Sequence, residues 1–366
     1  MIRGGAWKFA WVQARTQTAV AVAALAAAAI LAAITGPRLL HFYDTVVATC
    51  GSRNDCASVT TAFLSSYRVI QVALPPVLLV APALIGAFWG APLVARELET
   101  GTFRLAWTQS VTRQRWLAVK LILAGLAGMA VAGLLSLILT WWFSPIDRVQ
   151  MNQFTPAMFG VRGITPIGYA AFAFAFGVTA GAFIRRTIPA MAATLVVFAG
   201  ARLAFSYYVR PYLITPLRAT SALVMPTESG PAPPLGAGAV KPGDLVVSDQ
   251  TINAAGRVIG ANGGVGPNGE IGIQVTHGRP SLAGVGACPN KFPPLGGGLR
   301  GSGGQPPADF NAAVQECIDR LGIREVVTYQ PLSRYWPLQW DETLIFTGLA
   351  IVLAGVCFWQ VRRRLT

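Results

Sequence analysis

The residue types that most often carry catalysis are scarce in this chain of 366 residues. It contains two histidines, His41 and His277, and no HExxH pattern of the kind that holds a catalytic zinc ion. None of its lysines follows a glycine, so the sequence lacks the Gly-Lys-Ser/Thr loop that binds nucleotide phosphates. The glycine-rich run at 263–269 contains Pro267 and is typical of a flexible turn. We therefore expect no catalytic, metal or nucleotide site within this chain.

The most informative polar segment is residues 91–113, which mixes acidic, basic and aromatic side chains. A simple loop between two membrane spans would be shorter and more polar. Aromatic side chains among charged ones are typical of a surface that docks another molecule. The alternative is an interfacial helix lying against lipid headgroups, which aromatic and arginine residues also suit.

The chain as a whole is far more apolar than a soluble domain. Its mean hydropathy is +0.51, with 53% hydrophobic and 12% charged residues, whereas about a quarter of a soluble domain is charged. The apolar residues form blocks long enough to cross a hydrocarbon core of about 30 Å as helices. We therefore predict an all-α polytopic membrane protein with six transmembrane helices. The predicted spans are Thr18–Gly36, Val69–Ala95, Leu117–Phe143, Ile167–Ile184, Ile188–Val209 and Thr343–Val361.

Basic residues set the predicted orientation of these spans. A net charge of +14 would favour nucleic acid as the partner of a soluble protein, but here the Lys and Arg residues cluster at the ends of the apolar blocks. Many of them lie in segments 1–17, 96–116, 185–187 and 362–366, which the positive-inside rule places in the cytoplasm. We therefore expect both termini in the cytoplasm and no nucleic-acid partner.

The same topology places residues 210–342 on the extracytoplasmic side. This stretch is rich in Gly and Pro, with strand-like alternation at Asp244–Val247 and Glu270–Val275 and a predicted short helix at Pro307–Leu321. We expect a small α+β extracytoplasmic insertion between helices 5 and 6. Residues 343–366 would then form helix 6 and a basic cytoplasmic tail.

Four of the five cysteines lie on the predicted outer side, where an oxidising environment favours disulfides. Proximity favours the pairs Cys50–Cys56 and Cys288–Cys317, although four cysteines allow three connectivities and the sequence does not choose between them. A zinc site is disfavoured because these cysteines lack both a CxxC spacing and an accompanying histidine pair.

Residues 96–120 resemble the coupling region of type-2 ABC exporter permeases. The resemblance rests on an Arg-Glu-x-Glu-x-Gly-Thr run at 96–102, an apolar stretch, a polar turn ending in Arg113, and Lys120 at the start of the third span. The C-terminal segment 329–364, rich in Trp and Arg, is similar to the actinobacterial branch of that family. The resemblance implies a permease in a bacterial plasma membrane that dimerises and works with a cytoplasmic ATP-binding subunit. ATP and Mg would then be bound by that partner.

By this resemblance, the hairpin at 96–116 forms the short helix that sits in a groove of the ATP-binding subunit. Phe103, Leu105 and Trp107 are the expected apolar contacts, with arginines forming a polar rim. The full set of expected docking residues is Arg96, Glu97, Glu99, Gly101, Thr102, Phe103, Arg104, Leu105, Trp107 and Arg113.

Residues 1–17 are similar to the amphipathic connecting helix of the same family, and we expect them to form an N-terminal interfacial helix. Lys8 and Arg15 are candidates for pairing with Glu97 and Glu99. The alternative is that these charges are simply solvated, since exposed pairs contribute only about 0–1 kcal/mol.

Arg202 is the one charge well inside a predicted span. Its side chain either extends towards the outer surface or faces the translocation path, where it could hold an anionic group of a substrate. Phe172 and Phe176 are interpreted first as packing residues and second as a hydrophobic gate on that path. The prolines of the second and fifth spans permit helix kinks.

Three functional hypotheses follow from the sequence. The leading one is the permease of an ATP-driven exporter that moves a hydrophobic or amphipathic compound, such as a drug, antibiotic or lipid-like molecule, outward by alternating access in a homodimer in contact with membrane lipid. The second is a membrane-anchored binding or sensor protein that acts through residues 210–342 without an ATPase. The third, a secondary transporter, is disfavoured because no predicted span carries a coupling acid.

Overall fold

Long apolar helices dominate the computed structural model, which describes residues 5–50, 56–100, 113–223, 235–261, 315–316 and 319–364. The helices in this part of the chain are α1 Gly5–Phe42, α2 Cys56–Ser66, α3 Arg68–Leu84, α4 Ala91–Thr100, α5 Arg113–Gln150, α6 Pro156–Phe159, α7 Thr165–Ile184, α8 Thr187–Ala204 and α9 Tyr335–Arg364. The strands are β1 Leu217–Ala222, β2 Leu245–Ile252, β3 Val258–Ala261 and β4 Arg324–Gln330. The described residues divide into two compact units, a helical bundle formed by residues 1–210 and 336–366 and a second unit, Pro211–Tyr335.

Six helical stretches among the described residues are long and apolar enough to cross a membrane, which confirms the six predicted spans. They are Thr18–Val47, Arg68–Glu99, Leu117–Gln150, Thr165–Ile184, Thr187–Tyr212 and Leu332–Arg363. Each extends beyond its predicted apolar block at one end or both. The reason is that hydrogen bonding along a helix continues through the polar residues that flank an apolar run.

The first span is part of one continuous helix. α1 runs from Gly5 to Phe42 without a break between the predicted interfacial segment and the predicted span, and it contains Pro37. The side chains of residues 5–17 lie outside the described part of the structure. The interfacial placement of residues 1–17 therefore stays a prediction.

π-Helical turns occur at three places in the described part of the bundle. α3 continues through its three prolines and widens into a π-helical turn at Ile85–Gly90 before α4 begins. Two similar turns, Tyr43–Val47 and Phe205–Val209, follow α1 and α8. A π-helical turn inserts an extra residue and so rotates the side chains that come after it, and such turns are frequent at functional sites.

Helix α7 lies at the centre of the bundle. Its membrane-spanning window is 78% buried, whereas that of α1 is 17% buried. Gly177 and Gly181 on α7 face the π-helical turn and the start of α4, where Gly86 and Gly90 lie four residues apart in the same way. A Cβ atom at any of these four glycines would overlap backbone atoms of the facing segment. Small residues at this spacing allow two helix backbones to approach closely in a membrane.

The two ends of the bundle have separate hydrophobic clusters. Val94, Leu117, Ala182 and Val361 share one cluster, so the ends of four spans meet there; we call this the hairpin end, because the predicted hairpin 96–116 begins and ends at it. A second cluster at the opposite end joins side chains of α1, α2 and α5, including Leu39, Phe63 and Trp142.

A disulfide between Cys50 and Cys56 closes the segment before α2, with Cα atoms 5.6 Å apart. This pair was one of the two favoured by proximity in the sequence, and it is confirmed. The other predicted pair involves Cys288 and Cys317, which lie outside the described residues.

The second compact unit holds an antiparallel sheet with the strand order β1-β4-β2-β3. β2 includes the strand predicted at Asp244–Val247, except for Asp244 itself, whereas the predicted strand at Glu270–Val275 lies outside the described residues. The helix predicted at Pro307–Leu321 is described only in part. Its described residues up to Arg320 are helical, namely Gln315, Glu316, Asp319 and Arg320. The unit ends at Tyr335, before the predicted boundary at Glu342, because α9 begins ahead of its apolar run.

One carboxyl group in this sheet titrates near neutral pH. Asp249 on β2 is buried, and burial together with the neighbouring Glu325 carboxylate raises the pKa of Asp249 to about 6. The folded state therefore holds this proton more tightly than the unfolded chain does. The stabilising contribution of protonated Asp249 is present at low pH and is lost as the pH rises through about 6.

Replacing Gly177 by alanine should destabilise the bundle, because the new methyl group would overlap the backbone carbonyl of Gly86. The expected cost is about 1–3 kcal/mol, as for other overpacked sites. Gly200→Ala is the matched control, since no atom lies within 4 Å of the added Cβ there. Thermal unfolding of the purified chain in detergent micelles should show a lower Tm for Gly177→Ala only. Equal Tm values would contradict the assigned close contact.

Candidate functional site

A side chain from α9 caps the N-terminus of the central helix. Gln339 Oε1 accepts hydrogen bonds from the backbone N–H groups of Ile164 at 3.1 Å and Thr165 at 3.0 Å, and also from the Thr165 hydroxyl. Its Nε2 group donates to the carbonyl of Phe159 at 3.1 Å. The first N–H groups of a helix have no partner within the helix, and inside a membrane protein they must find one. Gln339 therefore fixes α9 to the start of α7.

A buried ionic cluster at the opposite end of the bundle lies one helical turn further along α9. Arg210 donates from Nε to Glu342 Oε2 at 2.8 Å and from Nη2 to Glu342 Oε1 at 2.9 Å, which is a bidentate ion pair. Both side chains are buried, with 1% and 0% of their surface exposed. The Tyr169 hydroxyl donates to Glu342 Oε1, and Ser206 Oγ lies 3.1 Å from Arg210 Nη2. We call Tyr169, Ser206, Arg210 and Glu342 the ionic cluster.

Aromatic rings enclose this cluster. The Arg210 guanidinium lies over the Phe159 ring, with its Cζ atom 4.1 Å from the ring centroid. Phe346 packs edge-on against Tyr169 at 4.9 Å and against Phe205 at 5.0 Å. Such packing excludes water, so the attraction between the two charges is much stronger than it would be at the surface.

Arg202 of α8 lies about two helical turns before Arg210, which follows the π-helical turn Phe205–Val209. The Arg202 side chain lies beside the ionic cluster. Its guanidinium is over the Tyr169 ring at 4.9 Å, and Nη1 donates to the carbonyl of Leu79 at 3.3 Å. Only 4% of the residue is exposed. Aromatic and backbone partners therefore hold this side chain inside the bundle in this conformation.

Another buried arginine fixes the segment between α5 and α7. Arg162 pairs with Asp147 of α5, and its guanidinium lies over the Phe143 ring at 4.3 Å. The neighbouring Gly163 has a φ of +65° and donates its N–H to Thr140 Oγ1 at 3.2 Å. The segment between these helices is thus folded onto the bundle by polar contacts at several points.

At the hairpin end, two acids of α4 bind two different spans. Glu97, which is buried, forms an ion pair with Lys120 of α5. Glu99, which is exposed, accepts hydrogen bonds through Oε2 from the Thr187 backbone N–H at 3.1 Å and from the Thr187 hydroxyl at 2.8 Å. A carboxylate at this position is favourable because the N-terminus of α8 carries a partial positive charge. The two acids therefore connect α4 to both α5 and α8.

The structure describes only part of the predicted docking set. Arg96, Glu97 and Glu99 lie on α4 and Arg113 begins α5, whereas Gly101, Thr102, Phe103, Arg104, Leu105 and Trp107 lie outside the described residues. The side chains of Lys8 and Arg15 are also outside the description, so their pairing with the two acids stays a prediction.

The phenylalanines predicted for the translocation path lie on α7. Phe172 is buried and packs against Phe346 at 5.4 Å, and its ring is 6.2 Å from that of the half-buried Phe176. These contacts are those of packing residues within the bundle, which was the first of the two interpretations. Two small cavities among the described residues, of about 10 and 30 Å³, are lined by other side chains.

Sequence reasoning missed the ionic cluster. The predicted spans end at Val209 and begin at Thr343, so they exclude Arg210 and Glu342 because both are charged. The helical spans in the structure include both residues. Within these wider bounds Glu342 is an acid inside a span, and its carboxylate is bound to an arginine. The usable signal was the Gln339-Trp340-Asp341-Glu342 run directly before an apolar block.

Replacing Glu342 by glutamine should strongly destabilise the bundle, because it leaves the Arg210 charge buried without a counter-charge. The expected loss is about 3–5 kcal/mol, and the double variant Arg210→Met with Glu342→Leu should recover most of it. Thermal unfolding in detergent measures both effects. The control is Arg320→Gln, which breaks the exposed pair with Glu316 and should change stability by less than about 1 kcal/mol. A double variant as unstable as Glu342→Gln would contradict this account.

Comparison with known proteins identifies the family. Residues 22–210 match the family model described as "ABC-2 membrane transporter related", and this region covers slightly more than half of the chain. Comparisons with curated proteins and with solved structures give no match. The matched region includes the glycine contact at α7, the two acids of α4 and both Arg202 and Arg210. The chain therefore belongs to the ABC-2 membrane transporter related family, and it is a multi-pass membrane permease of an ABC transporter whose ATP-binding subunit is a separate partner.

Proposed function

We propose that this permease is the membrane part of an exporter that moves a hydrophobic or amphipathic compound outward across a bacterial plasma membrane. Two copies form the translocation path, and the hairpin at 96–116 docks onto a cytoplasmic subunit that binds ATP and Mg. The observation that carries the proposal is the placement of the two acids of α4. They connect the base of this hairpin to two different membrane spans.

The spacing of the two acids explains how one short helix reaches two spans. Residues two positions apart on an α-helix point in directions about 200° apart, since each residue turns the helix by about 100°. Glu97 can therefore bind Lys120 on one side while Glu99 binds Thr187 on the other. A force applied to the hairpin by closure of the ATP-binding subunits would act on α5 and α8 together.

The charges at the hairpin end support its placement in the cytoplasm. Arg185 and Arg186 are exposed in the short turn between α7 and α8, and Arg363 near the C-terminus lies over the Trp359 ring at 5.0 Å. Basic residues beside an aromatic ring at a span end are typical of the cytoplasmic membrane interface. Both termini are then cytoplasmic, and Pro211–Tyr335 lies outside.

The second candidate function is a membrane-anchored sensor that acts through Pro211–Tyr335. The observation in its favour is that these residues form a compact unit of their own with an antiparallel sheet. A sensor of this kind would act without an ATP-binding subunit. Purification of the complex therefore separates the two proposals.

Phe103→Glu and Trp107→Glu should abolish docking of the ATP-binding subunit, because a charge would enter an apolar contact. The tagged chain is purified from membranes of its own host, co-purifying proteins with nucleotide-binding motifs are identified by mass spectrometry, and ATP hydrolysis is measured. We expect a loss of at least about tenfold in recovered partner, equivalent to 1.4 kcal/mol or more. The control is Val258→Glu on the exposed edge strand β3. Absence of any such partner from the wild-type preparation would favour the sensor.

The ion pair of α4 and α5 should be needed for coupling rather than for docking. Glu97→Lys places two cations side by side and should lower ATP-driven turnover, while the ATP-binding subunit still co-purifies. The combined variant Glu97→Lys with Lys120→Glu restores opposite charges and should recover turnover. ATP hydrolysis by the purified complex in lipid vesicles is the measurement. If the combined variant were as inactive as Glu97→Lys, the pair would not be a link in transmission.

A further inference from the structure

The buried charges around Tyr169 do not balance. Arg202 and Arg210 each carry a positive charge, and Glu342 is the carboxylate that faces them among the described residues. Glu342 already binds Arg210 with both of its oxygens. Among the described residues, the positive charge of Arg202 therefore has no carboxylate of its own in this apolar interior. A charge of this kind is costly within a membrane and is usually retained for a function.

The hydrogen bonding of Arg202 shows the same deficit. An arginine has five N–H donors. Nη1 makes a long contact of 3.3 Å to the Leu79 carbonyl, and Nη2 is buried without an acceptor in the described part of the structure. The stacking partner, the Tyr169 ring, contacts only the face of the guanidinium. The edge of the guanidinium, where an oxyanion binds in a bidentate way, is thus incompletely used.

Glycine at position 160 makes room for the Nη2 group itself. Nη2 lies directly against Gly160, in the turn after α6, and a Cβ atom at that position would overlap it. Gly160 has a φ of −83°, which any residue adopts, so backbone conformation does not require glycine here. The absence of a side chain at 160 is instead required by the position of the arginine.

We propose that Arg202 is a binding site for an oxyanion, a phosphate or carboxylate carried on an apolar chain. This inference deepens the proposed exporter and rests on it for its role in transport, since the site lies between α3, α8 and the turn at Gly160. In the present conformation the guanidinium is enclosed. An anion reaches it when α8 and this turn separate, as alternating access requires of a site within the bundle. Apolar side chains of the surrounding spans then bind the chain of the ligand.

Tyr169 connects this site to the ionic cluster. Its ring lies against Arg202, and its hydroxyl donates to Glu342 while also lying 3.2 Å from Arg210 Nη2. An anion bound at Arg202 neutralises the excess positive charge beside this pair. Binding therefore changes the electrostatic balance of the contact between Arg210 and Glu342.

The test measures binding without any ATP-binding partner, so its failure would leave the proposed docking at 96–116 untouched. The full-length chain in dodecyl maltoside is titrated with dodecyl phosphate, with phosphatidylglycerol and with inorganic phosphate, and binding and Tm are measured. We expect at least one of the two amphiphilic anions to bind and raise the Tm. Arg202→Met should weaken this binding by at least about tenfold, and Arg186→Gln, which removes an exposed arginine at the hairpin end, should not.

The same variants separate an anion site from a purely structural arginine. Without added anion, Arg202→Met should melt at or above the wild-type temperature, because it removes an unpaired buried charge and keeps a side chain of similar length. The proposal would be overturned if Arg202→Met had a lower Tm than the wild type and the anions shifted both Tm values equally. It would also be overturned if the wild type bound neither amphiphile. Binding of phosphatidylglycerol alone assigns the site to a lipid headgroup, and binding of dodecyl phosphate alone assigns it to a mobile amphiphile. Either result supports an oxyanion-binding site at Arg202.

Discussion

The backbone of α7 is in direct contact with the backbone of the π-helical turn at Ile85–Gly90. The positions of the other spans depend on this contact. Inside a membrane, helices cannot be driven together by exclusion of water, since lipid is as apolar as their side chains. Close approach through Gly86, Gly90, Gly177 and Gly181 replaces that driving force with extensive van der Waals contact. Because α7 is buried on nearly all sides, the helices that surround it are positioned by its surface.

Polar contacts between helices at both ends of the bundle add to the close packing that the glycines allow. At the hairpin end, Glu97 joins α4 to α5 and Glu99 joins α4 to α8. At the opposite end, Gln339 joins α9 to α7, and Glu342 joins α9 to Arg210, which follows the π-helical turn after α8. The middle of the bundle is held mainly by packing, and there the Thr179 hydroxyl donates to the Leu353 carbonyl at 3.0 Å. The contacts at the two ends are therefore specific, because hydrogen bonds and ion pairs form in only a few arrangements. In the middle of the bundle, the helices can slide past one another at lower cost.

The sequence predicted the spans but not the contacts between them. Length and charge asymmetry located all six helices, and proximity selected the Cys50–Cys56 pair. The ionic cluster was missed because a span bounded by its apolar residues stops at the first charge, and Arg210 and Glu342 are charges that neutralise each other inside the protein. Which residues pair across a bundle depends on helix rotation, and a single π-helical turn such as Phe205–Val209 changes that rotation without a sequence signature.

Helix α8 gives the two ends of the bundle a mechanical connection. Its first residue, Thr187, is bound by Glu99, and Arg202 lies about 22 Å further along at a rise of 1.5 Å per residue. The π-helical turn and Arg210 follow directly. The helical stretch Thr187–Tyr212 is therefore bound by Glu99 at the hairpin end and, through Arg210, by Glu342 at the opposite end. A force applied at the hairpin end acts on this same stretch. Separating Arg210 from Glu342 in an apolar interior costs several kcal/mol unless each charge finds a new partner. In the proposed exporter, that cost would keep the opposite end closed until the force from the ATP-binding subunits, or a charge brought by the ligand, offset it.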